Sequence, residues 1–107
     1  MPSFWNVVND VIERADIIIE VLDARMIPQT RNIEVEQKVK EAKKTLLYCI
    51  NKVDLASKDK TEKLSHFLKP GVFISSTQKL GTTILKKKIL ELSRGKPVIV
   101  GVVGYPN

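Results

Sequence analysis

The residues Thr45-Leu46-Leu47-Tyr48-Cys49-Ile50, followed by Asn51-Lys52-Val53-Asp54, decide how this chain folds. Six mostly apolar residues without strict alternation are typical of a strand that is buried on both faces of a sheet. Three other apolar runs have the same character; they cover residues 17–22, 72–75 and 98–103. Segments with helical spacing separate these strands from one another. The alternation predicts an α/β fold in three layers, with a parallel four-stranded sheet flanked by helices on both faces.

Apolar residues at helical spacing predict four helices, the first with Ser3 as its N-cap. Their apolar stripes consist of Phe4, Val7, Val8, Val11 and Ile12; then Val35, Val39 and Ala42; then Leu64, Phe67 and Leu68; and finally Ile84, Leu85, Ile89 and Leu92. We expect the third helix to end at Pro70-Gly71 and Pro97 to open the last strand. Ligands of such sheets bind beyond the carboxyl ends of the strands, so the residues that follow each strand are candidates for a site.

Length and composition indicate one small globular domain. The chain has 107 residues, of which 43% are hydrophobic, and no apolar run approaches the roughly 20 residues that a membrane span requires. The first residues lack the pattern of a signal peptide, and Cys49 lies in an apolar run where a buried, inert thiol is expected. We therefore expect a cytoplasmic protein. The net charge of +6 suits an anionic partner such as RNA or a nucleotide, or it reflects solvated helix faces, because the lysines are spread along the chain.

The segment Asn51-Lys52-Val53-Asp54 directly follows the second strand and suits a site for guanine. The carboxylate of Asp54 can accept two hydrogen bonds from the N1–H and the 2-amino group of guanine, and adenine offers no such pair of donors. Asn51 can fix the loop, and the stem of Lys52 can lie over the ring while its ammonium group stays in water. The alternative interpretation is a solvated loop that leads into a helix.

Short polar or glycine-containing segments follow the other three strands. Ser75-Ser76-Thr77 follows the third strand, and its small side chains would let the backbone approach guanine O6; an ordinary Ser/Thr turn is the alternative. Gly104-Tyr105-Pro106-Asn107 follows the fourth strand and fits either the start of a phosphate-binding loop, Gly-x-x-x-x-Gly-Lys-[Ser/Thr], or a plain strand-ending turn. Asp23-Ala24-Arg25 follows the first strand, where Asp23 and Arg25 could form a local ion pair.

Taken together, these segments resemble the YlqF/YawG-type circularly permuted GTPases, in which the base-recognition motifs precede the phosphate loop. The resemblance is carried by Leu22-Asp23-Ala24-Arg25 with Pro28 and Arg31-Asn32, by Asn51-Lys52-Val53-Asp54-Leu55, by Phe73-Ile74-Ser75-Ser76, and by Gly101-Val102-Val103-Gly104-Tyr105-Pro106-Asn107. It covers nearly the whole chain. It implies that residues 1–107 are the N-terminal part of a permuted G domain that breaks off inside the phosphate loop. It also implies strand order 4-1-2-3, with the fourth strand at an open edge.

The resemblance further implies an activity, because the family binds GTP and GDP, hydrolyses GTP slowly with Mg²⁺, and assists ribosome assembly in contact with RNA. By this resemblance, the guanine-binding residues would be Asn51, Lys52, Asp54, Ser75, Ser76 and Thr77, and the phosphate-binding residues Gly104, Tyr105, Pro106 and Asn107. Asn107 would also be a ligand for K⁺, while Asp23 and Arg25 would be mainly structural. No catalytic residue is assigned within the chain, so we expect these residues alone to be inactive in hydrolysis. The alternative is a non-catalytic G-domain-like scaffold that binds RNA or protein.

Overall fold

The computed structural model describes residues 3–52, 56–75 and 80–104. This part of the chain contains five helices and four strands, and at least one helix separates each strand from the next. The helices are α1 (Phe4–Arg14), α2 (Ile27–Thr30), α3 (Ile33–Glu41), α4 (Lys58–Ser65) and α5 (Leu80–Ser93). The strands are β1 (Ile17–Asp23), β2 (Thr45–Asn51), β3 (Gly71–Phe73) and β4 (Val100–Gly104).

The four strands form one sheet in the order β3-β2-β1-β4, and every pair is parallel. This confirms the predicted α/β sheet, since the expected order 4-1-2-3 is the same order counted from the opposite edge. In the central pair, Asp23 lies beside Asn51, and Val21 of β1 lies beside Gly104 of β4. The carboxyl ends of the strands therefore meet along one edge of the sheet.

The two faces of the sheet carry alternate residues of each strand, as the period of a strand requires. On one face, Ile18 packs with α1 and α3, and Leu22 and Ile50 pack with residues of α2 and α4. On the other face, Leu47 and Cys49 belong to a cluster that α5 covers. The sheet thus lies between two helical layers, and Cys49 is buried, as predicted.

Side-chain caps fix where several helices begin. The hydroxyl of Ser3 accepts a hydrogen bond from the N–H of Asn6 at the start of α1, which confirms the predicted cap. Asn32 Oδ1 accepts from the N–H of Val35 at the start of α3, and Ser57 caps α4 in the same way. Each such cap stabilises a helix by about 1 kcal/mol, because it satisfies an N–H group that has no partner inside the helix.

Three predicted boundaries were wrong. Helix α4 ends at Ser65 rather than at Pro70-Gly71, and the side chain of Phe67 is 78% exposed although it was assigned to the apolar stripe. Strand β3 ends at Phe73, so Ser75 lies in the loop beyond it. Strand β4 begins at Val100 rather than at residue 98, because the N–H of Ile99 donates to the carboxylate of Asp16 instead of to a neighbouring strand.

Strand β4 forms one edge of the sheet, as the resemblance implied. Val102 is 63% exposed there, and Val7 on the adjacent α1 is also exposed. Between α1, α3 and β4 lies an apolar groove of about 490 Å³. Within the described residues, no helix has both the length and the apolar character needed to cross a membrane.

Candidate functional site

The structure brings four of the predicted site residues to the carboxyl edge of the sheet. Asn51 ends β2, Lys52 follows it, and Gly104 ends β4. Phe73 of β3 lies beside Ile50 of β2, so Ser75 lies close to the level of Lys52. The remaining predicted residues fall outside the described ranges: Asp54, Ser76, Thr77, Tyr105, Pro106 and Asn107.

The turn after β2 is held in an uncommon backbone conformation. Lys52 has φ of 61°, in the left-handed region that residues with a Cβ seldom adopt. The N–H of Lys52 donates to Oδ1 of Asn51 at 2.8 Å, and the carbonyl of Asn51 accepts from the N–H of Ala24 at 2.9 Å. Asn51 therefore fixes this loop, in agreement with the role that the sequence suggested for it.

The carboxylate of Asp23 is the electrostatic centre of the described edge. Oδ1 accepts hydrogen bonds from the backbone N–H and from Nε of Arg25, at 2.9 Å and 3.2 Å. Oδ2 lies 3.0 Å from the guanidinium of Arg25 and 3.3 Å from Nζ of Lys52. The hydrogen bonds from Arg25, together with Lys52, hold the pKa of Asp23 well below its usual range. Asp23 is therefore ionised throughout the physiological pH range. The structure contains the predicted Asp23–Arg25 ion pair, and the pair to Lys52 was not foreseen.

The loop between β1 and α3 holds Asp23 from the backbone side. The N–H of Asp23 donates to Oγ1 of Thr30 at 3.1 Å, and the hydroxyl of Thr30 donates to the carbonyl of Met26 at 2.7 Å. Helix α2, which was not among the four predicted helices, places Thr30 there, with Pro28 in its first turn, where a missing N–H costs nothing.

A pair of carboxyl groups lies behind this loop: Glu20, which is buried, and Glu36, which is partly buried. Glu20 is 2% exposed in the middle of β1, and its Oε2 accepts from the N–H of Asn32 at 3.2 Å. Glu36 accepts two hydrogen bonds of 2.8 Å from the guanidinium of Arg31 and one of 2.8 Å from the hydroxyl of Tyr48. Sequence reasoning missed this cluster, although one acidic residue inside an apolar strand signals a buried partner.

The two carboxyl groups differ in protonation. Burial, followed by the hydrogen bond to Glu36 and its negative charge, raises the pKa of Glu20 to about 8. Burial alone would also raise the pKa of Glu36, but the hydrogen bonds from Arg31 and its other donors outweigh burial and lower that pKa. Oε1 of Glu20 is buried and has no hydrogen-bond partner among the described residues, and an unpartnered buried oxygen is less costly on a neutral carboxyl group than on a carboxylate.

The resemblance implies Mg²⁺ and K⁺, and clusters of acidic, histidine and cysteine side chains hold many metal ions. No group of three or more His, Cys, Asp or Glu side chains among the described residues could hold a metal ion. Asp23, the carboxylate nearest the edge, is already occupied by two basic side chains. Asn107, the expected K⁺ ligand, lies outside the described ranges.

Comparison with known proteins finds relatives among GTP-binding proteins. A GTP-binding protein of Methanocaldococcus jannaschii, named as uncharacterised, is 45% identical over 105 residues that include 94% of the chain. A guanine nucleotide-binding protein-like 3 homolog of Caenorhabditis elegans is 31% identical over an alignment that includes the whole chain. The chain is homologous to GTP-binding proteins. A nuclear GTP-binding protein of Saccharomyces cerevisiae is also 31% identical, over 98% of the chain.

The chain corresponds to a limited part of these relatives. It spans 28% of the archaeal protein and 24% of each of the other two. No protein-family model matches the chain.

Proposed function

We propose that this chain forms the guanine-reading part of a GTP-binding domain whose motifs occur in circularly permuted order. The observation that carries the proposal is the fixed turn at Asn51 and Lys52, which lies close to Ser75 at the carboxyl edge of a parallel sheet; Gly104 ends a strand at the same edge. Ligands bind at that edge in sheets of this kind. The GTP-binding relatives support the same assignment.

In this proposal each segment of the edge contacts a different part of the nucleotide. Asp54 accepts from the N1–H and the 2-amino group of guanine, which excludes adenine because adenine would leave the carboxylate unpaired. The stem of Lys52 covers one face of the base, and residues 75–77 approach O6 through the backbone. Residues 104–107 begin the loop around the phosphates. GTP with Mg²⁺, and K⁺ at Asn107, would act in the longer protein.

Hydrolysis of GTP is proposed for that longer protein and not for the 107 residues alone. Phosphoryl transfer depends on a phosphate-loop lysine, a Ser or Thr on the metal, and groups that orient water. The 107 residues contain no Gly-Lys-[Ser/Thr] sequence. We therefore expect the chain to retain base preference with weak affinity, and to show no GTP turnover above background.

Titration with fluorescent GDP and ADP analogues tests the base assignment. The chain should bind the GDP analogue about 10-fold or more tightly than the ADP analogue, because a hydrogen-bonding site discriminates strongly between bases. Asp54→Ala should abolish this preference. Asp59→Ala removes the same charge from an exposed position on α4 and is the matched control. Equal affinity of the unmodified chain for GDP and ADP would contradict the proposal and support a scaffold without base recognition.

We also propose RNA as a partner, as part of a role in ribosome assembly in the cytoplasm. A groove of about 430 Å³ between α3 and the start of β3 is bordered by Lys40, Lys44 and Lys69. None of the three forms an ion pair among the described residues, whereas Glu36 in the same groove is already paired with Arg31. The ammonium group of Lys44 donates to the carbonyls of Glu13 and Ala15, whereas Lys40 and Lys69 are positioned to contact a phosphate backbone.

The RNA proposal is tested by fluorescence anisotropy with a short labelled RNA duplex at several salt concentrations. Lys40→Glu with Lys69→Glu should weaken binding and reduce the slope of log K against log salt by about 1 to 2, because each phosphate contact contributes nearly one unit. Lys86→Glu with Lys87→Glu makes the same change of charge on exposed positions of α5 and is the matched control. Equal losses in the two pairs would show that only net charge matters.

A further inference from the structure

We propose that Asp23 is a positioning residue for the base: through its ion pair it holds Lys52 in the orientation that covers the guanine ring. The inference rests on the proposed guanine site and adds a residue to it. Nζ of Lys52 lies 3.3 Å from Oδ2 of Asp23, and the two side chains are 33% and 13% exposed. The resemblance had suggested a mainly structural role for Asp23.

The ion pair matters because it fixes the far end of a flexible side chain. A lysine side chain has about 2 kcal/mol of rotamer entropy, so an unrestrained stem rarely lies where a base needs it. The near end of Lys52 is already fixed, since its backbone is held at φ of 61° by the side chain of Asn51. With Nζ on Asp23, both ends are fixed and the apolar stem lies between the ends of β1 and β2.

Asp23 can hold Lys52 in this way because Asp23 is itself immobilised. Arg25 occupies Oδ1 with two N–H donors and shares Oδ2 with Lys52. The backbone N–H of Asp23 is held by Thr30. The carboxylate therefore has one orientation, and that orientation directs Oδ2 toward β2, where its register partner Asn51 lies.

The alternative role for Asp23 is confined to its own loop, where it would hold Arg25 and have no effect on the base. The two roles differ in whether Asp23 and Lys52 act as one unit. If Asp23 acts through Lys52, its substitution has no further effect once the lysine is gone. If it acts through the loop, the effects of the two substitutions multiply.

A double-mutant cycle on the affinity for a fluorescent GDP analogue separates these roles. Asp23→Asn keeps the size of the side chain and an acceptor for Arg25, and Lys52→Met keeps an apolar stem without the ammonium group. Each single change should weaken GDP binding by about five- to tenfold, and the double change should be no weaker than Lys52→Met within about twofold. Lys87→Met, which removes an ammonium group from an exposed position on α5, should change the affinity by less than about twofold.

A second measurement reports on Lys52 without any nucleotide. Acetylation of lysines by a small reagent, read by mass spectrometry, should modify Lys52 several-fold faster in Asp23→Asn than in the unmodified chain, while exposed Lys58 is modified at the same rate in both. Unchanged labelling of Lys52 would overturn the inference, as would losses that multiply in the cycle while GDP remains preferred over ADP. Absence of any GDP preference in the unmodified chain would instead refute the guanine site, and the inference would fall with it.

Discussion

Replacing Glu20 by Gln should stabilise the protein at pH 8 and have much less effect at pH 5. Glu20 is buried, and its folded-state pKa is raised from 4.5 to about 8. A carboxyl group with a raised pKa favours folding while it is protonated in the folded state. That contribution is fully present below pH 4.5, where the unfolded chain also binds the proton, and it is lost as pH rises toward 8.

The size of the effect follows from the two pKa values. One pKa unit corresponds to about 1.4 kcal/mol, so the rise of the Glu20 pKa to about 8 sets an upper limit of about 5 kcal/mol on the stability lost between pH 4.5 and pH 8. The glutamine of the variant would keep the hydrogen bonds of the protonated acid, because its amide can donate to Glu36 while its carbonyl accepts from Asn32. This side chain has no acidic proton to lose. As pH rises from 4.5 to 8, the free energy of unfolding of the variant should therefore increase by at least about 1 kcal/mol relative to that of the unmodified chain.

Urea unfolding followed by Trp5 fluorescence measures the difference. Trp5 is the single tryptophan, and it packs against the buried cluster of α1, α3 and β1, so unfolding will change its environment. The difference in free energy of unfolding between the variant and the unmodified chain should grow steadily from pH 5 to pH 8, with equal m-values. Other acids titrate in both proteins, and their contributions cancel in this difference.

A matched control comes from Glu62→Gln, which removes one exposed carboxylate from α4. It should produce a difference that does not grow across the same pH range. The reasoning about the raised pKa of buried Glu20 would be refuted if Glu20→Gln gave a constant difference from pH 5 to pH 8. Glu36→Gln should be destabilising at every pH, because it removes the anion that Arg31 and Tyr48 both contact.

Two further predictions concern packing and the thiol. A Cβ on Gly101 would lie 2.5 Å from Cγ1 of Val11 and 3.2 Å from Cβ of Ala15, so Gly101→Ala should cost about 1 to 3 kcal/mol in urea unfolding by forcing α1 away from β4. Val11→Ala in the same chain should recover part of that loss, and Gly104→Ala, where the nearest atom would be 3.4 Å away, should cost less. Burial raises the pKa of Cys49, so its reaction with a disulfide reagent should require unfolding; rapid labelling in the native state, with the urea midpoint unchanged, would contradict this.

The sequence predicted the layers and the sheet because apolar runs and helical stripes report directly on burial. It placed the ends of elements less well, since ends depend on individual hydrogen bonds. The early end of α4 leaves Phe67 exposed, while Leu68, next to it, is fully buried. The late start of β4 depends on Asp16, which accepts the N–H that residue 99 would otherwise donate. Neither the end of α4 nor the start of β4 can be read from the pattern of apolar residues.

The candidate site could be predicted as a set of strand ends, because parallel strands place their carboxyl ends along one edge. The side-chain contacts between those strand ends could not be predicted. The pair between Asp23 and Lys52 depends on the register that sets Asp23 beside Asn51 and on the left-handed backbone of Lys52. The pairing of Glu20 with Glu36 depends in the same way on how α3 docks over β1. Such contacts follow from tertiary geometry, which local sequence patterns do not encode.

The segment from Asp23 to Asn32 joins the two clusters that the sequence did not predict. Its side chain at Thr30 accepts the N–H of Asp23, and its backbone at Asn32 donates to the carboxyl group of Glu20. Two residues of β1 therefore bind this loop: Asp23 at the candidate site and Glu20 in the core. Asn32 also caps α3, so the same residue sets the start of the helix that supplies Glu36. Buried Glu20 therefore has a structural role, because it accepts a hydrogen bond from the backbone of this loop. The fixed loop in turn holds Asp23 in the position from which, in our proposal, it orients Lys52 just after β2.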